Sequence, residues 1–313
     1  MLDTNRSTIM TDWKPQHERL FGTVPLKLGH SLHLQPLFSD EKLVALLETA
    51  QRGDYHVNIQ DGERRREGQF GGLSGEQILE IVRSKRVWIN FKPALTEDSP
   101  YGRLLNDIYD EFENRVPGLV TFKRGLTLLV SSPNISVKYH VDVPGQTLWQ
   151  LRGQKRVYVY PNQEPFVSRA ALQNLVRGQM HETDMQFEPW FDDHAWIYDL
   201  NPGEMLHWPH NYPHRVENAD CMNVSLTTEH WTGPLRNVYA CHYANGVAAQ
   251  AGIRSDRLAQ SGPALWSRLA LAGLVKKSPL GRRAAKPYSV DFELCVDSET
   301  GIRDIEPVTF RHG

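Results

Sequence analysis

Residues 137–145 read VKYHVDVPG. In an extended strand, side chains two apart point to the same face, so His140 and Asp142 converge on one side of a β-strand spanning roughly 136–141. An imidazole and a carboxylate held this way supply two of the three donors of a 2-His-1-carboxylate facial triad. Such a triad leaves the opposite face of an iron ion open to a bidentate cosubstrate and O2. The spacing alone carries little, because 13 histidines among 37 acids give about one or two His-x-acid pairs by composition. What surrounds it decides the reading.

Downstream, residues 201–218 read NPGEMLHWPHNYPHRVEN. Pro202-Gly203 is a turn, Glu204–Trp208 a strand, and the Pro209–Pro213 segment a second turn. A strand-turn-His unit late in a small β-barrel is where a third ligand returns to meet the first two. Three histidines compete: His207 sits mid-strand and His210 within the turn, whereas His214 follows the turn and opens the next strand. His214 is the expected ligand and His210 the reserve.

Between the two segments, Lys155 opens the strand KRVYVYP, 15 residues after His140. Lys155, Val157 and Val159 share one face. A lysine on an otherwise apolar inward face requires an anion, and the distal carboxylate of 2-oxoglutarate fits through a charge-assisted hydrogen bond. Arg152 and Arg156 flank it and compete for that role, and an exposed lysine at a strand start is the plainer alternative.

Short β-rich runs punctuated by Gly, Pro and Ser-Pro-Asn fill residues 119–160 and 195–228, which argues for a sandwich or barrel. The fold class expected is mainly β with flanking helices: a double-stranded β-helix (cupin or jelly-roll barrel) with a helical cover at its N-terminal side. The cover comprises a helix capped by Ser39, with Leu43, Leu46, Leu47 and Ala50 as its stripe. A second carries a Ser74/Gln77 capping box, and a third starts at Ser99-Pro100. The first stretch, to about Gly29, reads as an irregular arm, Ser31–Leu37 as a short strand, and residues 61–72 (DGERRREGQFGG) as a polar loop with a solvated arginine run. The expected division is a cover over 1–117, a catalytic barrel over 118–232, and a C-terminal extension over 233–313. An acidic, aromatic insertion, MHETDMQFEPWFDD (180–193), lies between barrel strands where a lid or substrate loop is expected.

Charge and composition exclude much. Thirty-five basic residues nearly cancel 37 acidic ones, so nucleic acid is not expected as the partner. No apolar run reaches the roughly 18 residues a membrane span requires, and the first residues show no secretory pattern. Three cysteines, Cys221, Cys241 and Cys295, form no disulfide framework or zinc knuckle and fit a reducing cytoplasm. From Arg254 to Lys286 there are eight basic residues and one acid. Within that stretch ALWSRLALAGLVKK (264–277) reads as a helix. It packs on the barrel or on a second copy as a homodimer contact, with a membrane-surface role as the other reading. Tyr288–Val296 and Ile302–Phe310 read as a hairpin.

The run HVDVPGQTLWQLRGQKRVYVYP (140–161), joined to PGEMLHWPHNYPHRVEN (202–218) and SLTTEHW (225–231), resembles the JmjC and asparaginyl-hydroxylase-like branch of 2-oxoglutarate oxygenases. The shared pattern is His-x-Asp, a lysine 15 residues on, a distal His after a Pro-rich turn, and a Trp 17 residues beyond it, here Trp231. The resemblance implies a double-stranded β-helix, Fe(II) on His140, Asp142 and His214, Lys155 as the 2-oxoglutarate anchor, and oxidative decarboxylation to succinate coupled to hydroxylation by O2. Relatives often place a hydroxyl residue three before the first His. Here that position is Val137, so Thr127 or Thr147 takes its place, and Glu229 stands where some relatives have Asn. The substrate, a small molecule or a protein side chain, is not readable. Two other readings stand beside this one: a metal-dependent cupin enzyme without 2-oxoglutarate, and a non-catalytic cupin-like sensor or binding module. The first is disfavoured because there is no early His-x-His pair.

Overall fold

The computed structural model describes residues 8–61, 64–278 and 288–310. The chain runs α1 (His17–Leu20), β1 (Leu26–Gly29), α2 (Asp40–Glu48), β2 (Tyr55–Asp61), β3 (Arg64–Gln69), α3 (Gly75–Ser84), β4 (Trp88–Phe91) and α4 (Pro100–Arg115). It continues β5 (Phe122–Ser131), β6 (Ser136–His140), β7 (Gly145–Arg152), β8 (Lys155–Val159) and α5 (Arg169–Val176). Then come β9 (Trp196–Leu200), β10 (Glu204–His207), β11 (His214–Asn218), β12 (Asn223–Trp231), α6 (Gly233–Gln250), α7 (Gly262–Lys277), β13 (Tyr288–Leu294) and β14 (Ile302–Phe310).

Two sheets face each other. The large one has the order β1-β10-β7-β12-β5-β4-β2-β3-β13-β14, and the small one β6-β11-β8-β9. All pairings are antiparallel except β13 with β3. Strand parity assigns each side chain to a layer. On β5, Leu126, Leu128 and Val130 point outward into the main core beneath the helices, while Thr127, Leu129 and Ser131 point inward. On β8, Tyr158 joins an outer aromatic cluster with Tyr139, Tyr160 and Phe166, while Val157 and Val159 join Leu148, Leu200, Leu206 and Trp208 between the sheets.

The helical cover forms where its caps place it. Ser39 accepts from the Lys42 amide, Ser74 and Gln77 close a reciprocal capping box, and Ser99 accepts from the Gly102 amide ahead of α4. Leu43 and Leu47 of α2, Ile78, Leu79 and Val82 of α3, and Leu105, Ile108 and Phe112 of α4 bury their stripes on the outer face of the large sheet.

Three expectations change. The arm before Gly29 contains β1, which pairs with β10 at the edge of the large sheet. Residues 31–37 form two 3-10 turns rather than a strand. The arginine-rich stretch read as a loop contains the β2–β3 hairpin, in register from Val57↔Gly68 to Asp61↔Arg64. Arginine and glycine hid this strand from pattern reading. Gly68 is required there: a Cβ would lie 2.2 Å from the Phe292 ring of β13. The C-terminal hairpin is present and extends the large sheet. α7 packs on α6 rather than on the barrel.

Candidate metal centre

β6 and β11 are neighbours in the small sheet, and His140 and His214 are direct cross-strand partners. Their ring centroids are 4.1 Å apart. Asp142, two residues beyond His140, points to the same side: its carboxylate lies 3.2 Å from His214 Nε2 and 3.8 Å from His140 Nε2. Donor atoms of these three residues lie within 4.8 Å of one another, the only such group of three among the described residues.

Both imidazoles are oriented from behind. His140 Nδ1 donates to the Lys138 carbonyl at 2.8 Å, and His214 Nδ1 to the Tyr212 carbonyl at 3.1 Å. That arrangement leaves each Nε2 lone pair directed at the shared centre, as metal-ligating histidines are held. Trp208 packs against the His214 ring at 4.5 Å between centroids. Burial, aided by neighbouring His214, lowers the His140 pKa to about 4, so its ring is neutral and a competent donor at pH 7. Burial opposes ionisation of Asp142, but His214, through charge and hydrogen bond, and His140 hold its carboxyl below the usual range. Two imidazoles and one carboxylate on one face suit a divalent first-row cation with open positions.

The triad opens into a cavity of about 830 Å3 between the sheets. Lys155 lines it from β8 and is buried, 6% exposed. No described residue hydrogen-bonds or ion-pairs with its ammonium, and burial alone lowers its pKa to about 8. The flanking arginines are engaged elsewhere: Arg152 pairs with Asp40 and donates to the Phe38 carbonyl, and Arg156 pairs with Asp199 at 2.7 Å. In register, His214 stands opposite Val159 and Asn218 opposite Lys155. Lys155 and the metal donors are therefore four residues, roughly 13 Å, apart along the strand direction.

Other sequence candidates separate cleanly. Thr127 lines the cavity, as does Val137. Thr147 lies on the opposite parity of β7, where its hydroxyl is 3.1 Å from His207 Nδ1. His207 is outside the cavity, its ring stacked on Phe21 at 4.0 Å. His210 donates from Nε2 to the Val143 carbonyl at 2.8 Å and braces the segment after Asp142. Trp149 is core, its indole donating to Thr228. Tyr158 points outward beneath the Arg215 guanidinium.

Two residues not singled out as site members also face the cavity. Glu182 comes from a 3-10 turn (Glu182–Asp184) in the acidic insertion, and Glu229 from β12. Both carboxyl pKa values are raised, first by burial and then by the Asp142 charge, with Glu182 adding to the effect at Glu229. Among the described residues no cation ion-pairs with either; Glu229 receives only a long, 3.5 Å contact from Gln146. Alternation on β12 places Glu229 inward beside Thr227. The insertion was expected as a lid or substrate loop; that its 3-10 turn folds back over β6 and carries Glu182 into the cavity was not indicated by the sequence.

Comparison with known proteins agrees with this architecture. The structure resembles that of Escherichia coli YcfD at 17% identity, covering 88% of this chain and 70% of that one, with a TM-score of 0.51. A structure described as YcfD, a ribosomal oxygenase from Escherichia coli, in complex with cobalt and 2-oxoglutarate aligns at 15% identity. It covers 92% of this chain and 74% of its own, with a TM-score of 0.49. At 17% identity the first likeness is one of fold. No curated protein matches the chain in sequence. The model of the cupin-like domain matches residues 54–231, from the start of β2 to the end of β12. That span takes in both faces of the cavity and every metal donor, and it places the chain in the cupin-like domain family.

Proposed function

We propose that the protein is an Fe(II)- and 2-oxoglutarate-dependent oxygenase that hydroxylates a C–H bond of a substrate presenting a cationic group. The observation that carries this reading is Lys155: a buried ammonium without a partner, in the same cavity as a three-donor metal group. An unpaired buried charge is costly, so such a lysine implies an anionic ligand. A cupin using only its metal has no need of it.

Fe(II) with bound 2-oxoglutarate supplies the oxidant from O2, releasing succinate and CO2. The chain's own residues hold and orient. His140, Asp142 and His214 provide one face of donors and leave the other face free. Lys155, protonated at neutral pH, takes the distal carboxylate; the strand separation from His214 matches a lysine side chain joined to a small dicarboxylate. Thr127 offers a hydroxyl from the facing, large-sheet wall of the cavity. Leu148 and Trp208 give the cavity an apolar lining near the donors, backed by buried Val157 and Leu206.

Glu182 and Glu229 support the substrate class. Two part-buried carboxylates within one another's field, unpaired and facing the cavity, are best satisfied by an ammonium or guanidinium held near the metal. A basic protein side chain and an amine-bearing metabolite both offer such a group.

The test is anaerobic titration of the purified protein with Fe(II) and 2-oxoglutarate, followed by visible absorption. A metal-to-ligand charge-transfer band is expected, abolished in His140→Ala and weakened in Lys155→Ala. Absence of the band with both additives present, or a band indifferent to Lys155, overturns the assignment. Succinate formation under air is the companion measurement.

A further inference from the structure

Arg65 lies on β3, opposite Gln60 of β2, and lines the same cavity as His140, Asp142, Glu182 and Glu229. Its guanidinium is held from behind. Nε donates to Asn58 Oδ1 at 2.8 Å, and Cζ lies 5.8 Å from the centre of the Trp88 ring. Asn58 is itself buried and tied through Nδ2 to the His56 carbonyl at 3.2 Å. Among the described residues the bond to Asn58 is the only hydrogen bond of this guanidinium, and no acid ion-pairs with it. Glu67, the nearest acid in sequence on the same face, is already engaged by Arg52 at 3.2 Å and His56 at 2.6 Å. The two terminal nitrogens are therefore a free, oriented donor fork on the cavity wall.

The fork is close to the chemistry. Its charge bears on His140 and on Glu182, and desolvation by the surrounding walls lowers its own pKa. Glu182 lies within the field of both Arg65 and Glu229, yet forms a salt bridge with no described cation. A guanidinium and carboxylates that share a cavity without meeting are suited to opposite ends of one dipolar molecule. Lys92, the other cation facing this space, bears on Glu229 instead. Charge also selects the anion. The cavity already holds Asp142, Glu182 and Glu229, and the proposed cosubstrate adds two carboxylates. A phosphate would bring more negative charge into that company than a carboxylate does, and the two oxygens of a carboxylate match the planar fork.

We propose that the substrate is a free basic amino acid, with Arg65 taking its carboxylate while Glu182 and Glu229 take its side-chain cation. This rests on the oxygenase reading above and narrows it. A basic residue inside a protein chain has its carboxyl group bound in a peptide linkage and offers Arg65 nothing to hold.

The experiment is calorimetric titration of the full chain, loaded with Zn(II) and 2-oxoglutarate, with L-arginine, L-lysine and L-ornithine and with the amide of each. At least one free acid should bind about tenfold or more tightly than its amide, the scale of one charge-assisted pair. Arg65→Gln should bring that ratio to about one and leave the affinities for the amide and for 2-oxoglutarate unchanged, whereas Lys92→Gln should keep the ratio. The wild-type comparison decides by itself if either variant fails to fold. Acids and amides binding alike, no binding by any of the six, a ratio that survives Arg65→Gln or disappears in Lys92→Gln, or a loss of 2-oxoglutarate affinity in Arg65→Gln each overturns the proposal. The Fe(II) and 2-oxoglutarate absorption band is independent of these probes, so its presence assigns such a failure to the amino-acid proposal, and its absence to the oxygenase reading beneath it.

Discussion

His140 and His214 stand directly opposite each other across β6 and β11, with ring centroids 4.1 Å apart and each Nδ1 tied to a backbone carbonyl two residues earlier. The candidate metal site is thus a cross-strand pair, fixed by sheet register, to which Asp142 is added from just beyond the end of β6. A one-residue slip of β11 would turn the His214 side chain to the outer face.

Removing any one of the three donors should abolish tight iron binding. His140→Ala, Asp142→Ala and His214→Ala are each expected to weaken Fe(II) affinity by more than about 100-fold, beyond the usual effect of altering a supporting group. His210→Ala should retain iron, because its ring bonds to the Val143 carbonyl. Metal content after anaerobic reconstitution distinguishes them; an iron-free His210→Ala with an iron-loaded His214→Ala would reverse the ligand assignment.

Lys155 makes stability depend on pH in a definite direction. Its folded-state pKa is lowered from 10.5 to about 8. Between those values the unfolded chain holds a proton that the folded chain does not, so stability rises as pH rises from about 8 to 10.5. A separation of that size corresponds to about 3 kcal/mol. Urea denaturation of the apoprotein at pH 7.5 and pH 10 should show the gain, and Lys155→Met should remove it. An unchanged difference in Lys155→Met would place the effect elsewhere.

On the proposed reading the same lysine anchors the cosubstrate. Affinity for 2-oxoglutarate should be flat near neutrality and fall at alkaline pH as the ammonium is lost, and Lys155→Met should lower it by about 10–100-fold, the scale of a charge-assisted hydrogen bond. Calorimetric titration with a redox-inert metal reads this without turnover. Wild-type affinity in Lys155→Met would remove the lysine from the site.

Glu182 and Glu229 should select charge. Arginine amide and lysine amide are expected to bind the metal- and 2-oxoglutarate-loaded protein more tightly than citrulline amide or norleucine amide. Glu182→Gln with Glu229→Gln should erase that preference, a loss of about tenfold or more. Neutral and cationic probes binding alike to the wild type would refute the substrate class and leave the oxygenase reading intact.

How far the sequence led can be judged from particular residues. His140, Asp142 and Lys155 were legible because strand alternation assigns a face without any knowledge of neighbours. His214 was separated from His207 and His210 by its place after the turn, and the structure keeps all three apart. Thr147 illustrates the boundary of that method. It was grouped with Thr127, yet β7 turns Gln146 and Leu148 inward and Thr147 outward to His207. The β2–β3 hairpin was hidden because its pairing is rewarded by long-range contacts: Arg66 reaches Asp291 and Asp304, and Gly68 makes room for Phe292. Glu182 was unreadable for the same reason, since the insertion's path back over β6 is set by tertiary packing.

The parallel pairing of β13 with β3 brings Asp291 to Arg66 across 225 residues of chain and sets Ser289 and Asp291 into the cavity rim. During synthesis the metal donors therefore emerge well before the enclosure that surrounds them can be finished. A nascent chain halted after β12 would carry the three candidate donors but lack the β13 side chains that line the cavity. That part of the wall is supplied only once Asp291 has left the ribosome, so the order of translation itself delays completion of the cavity's lining.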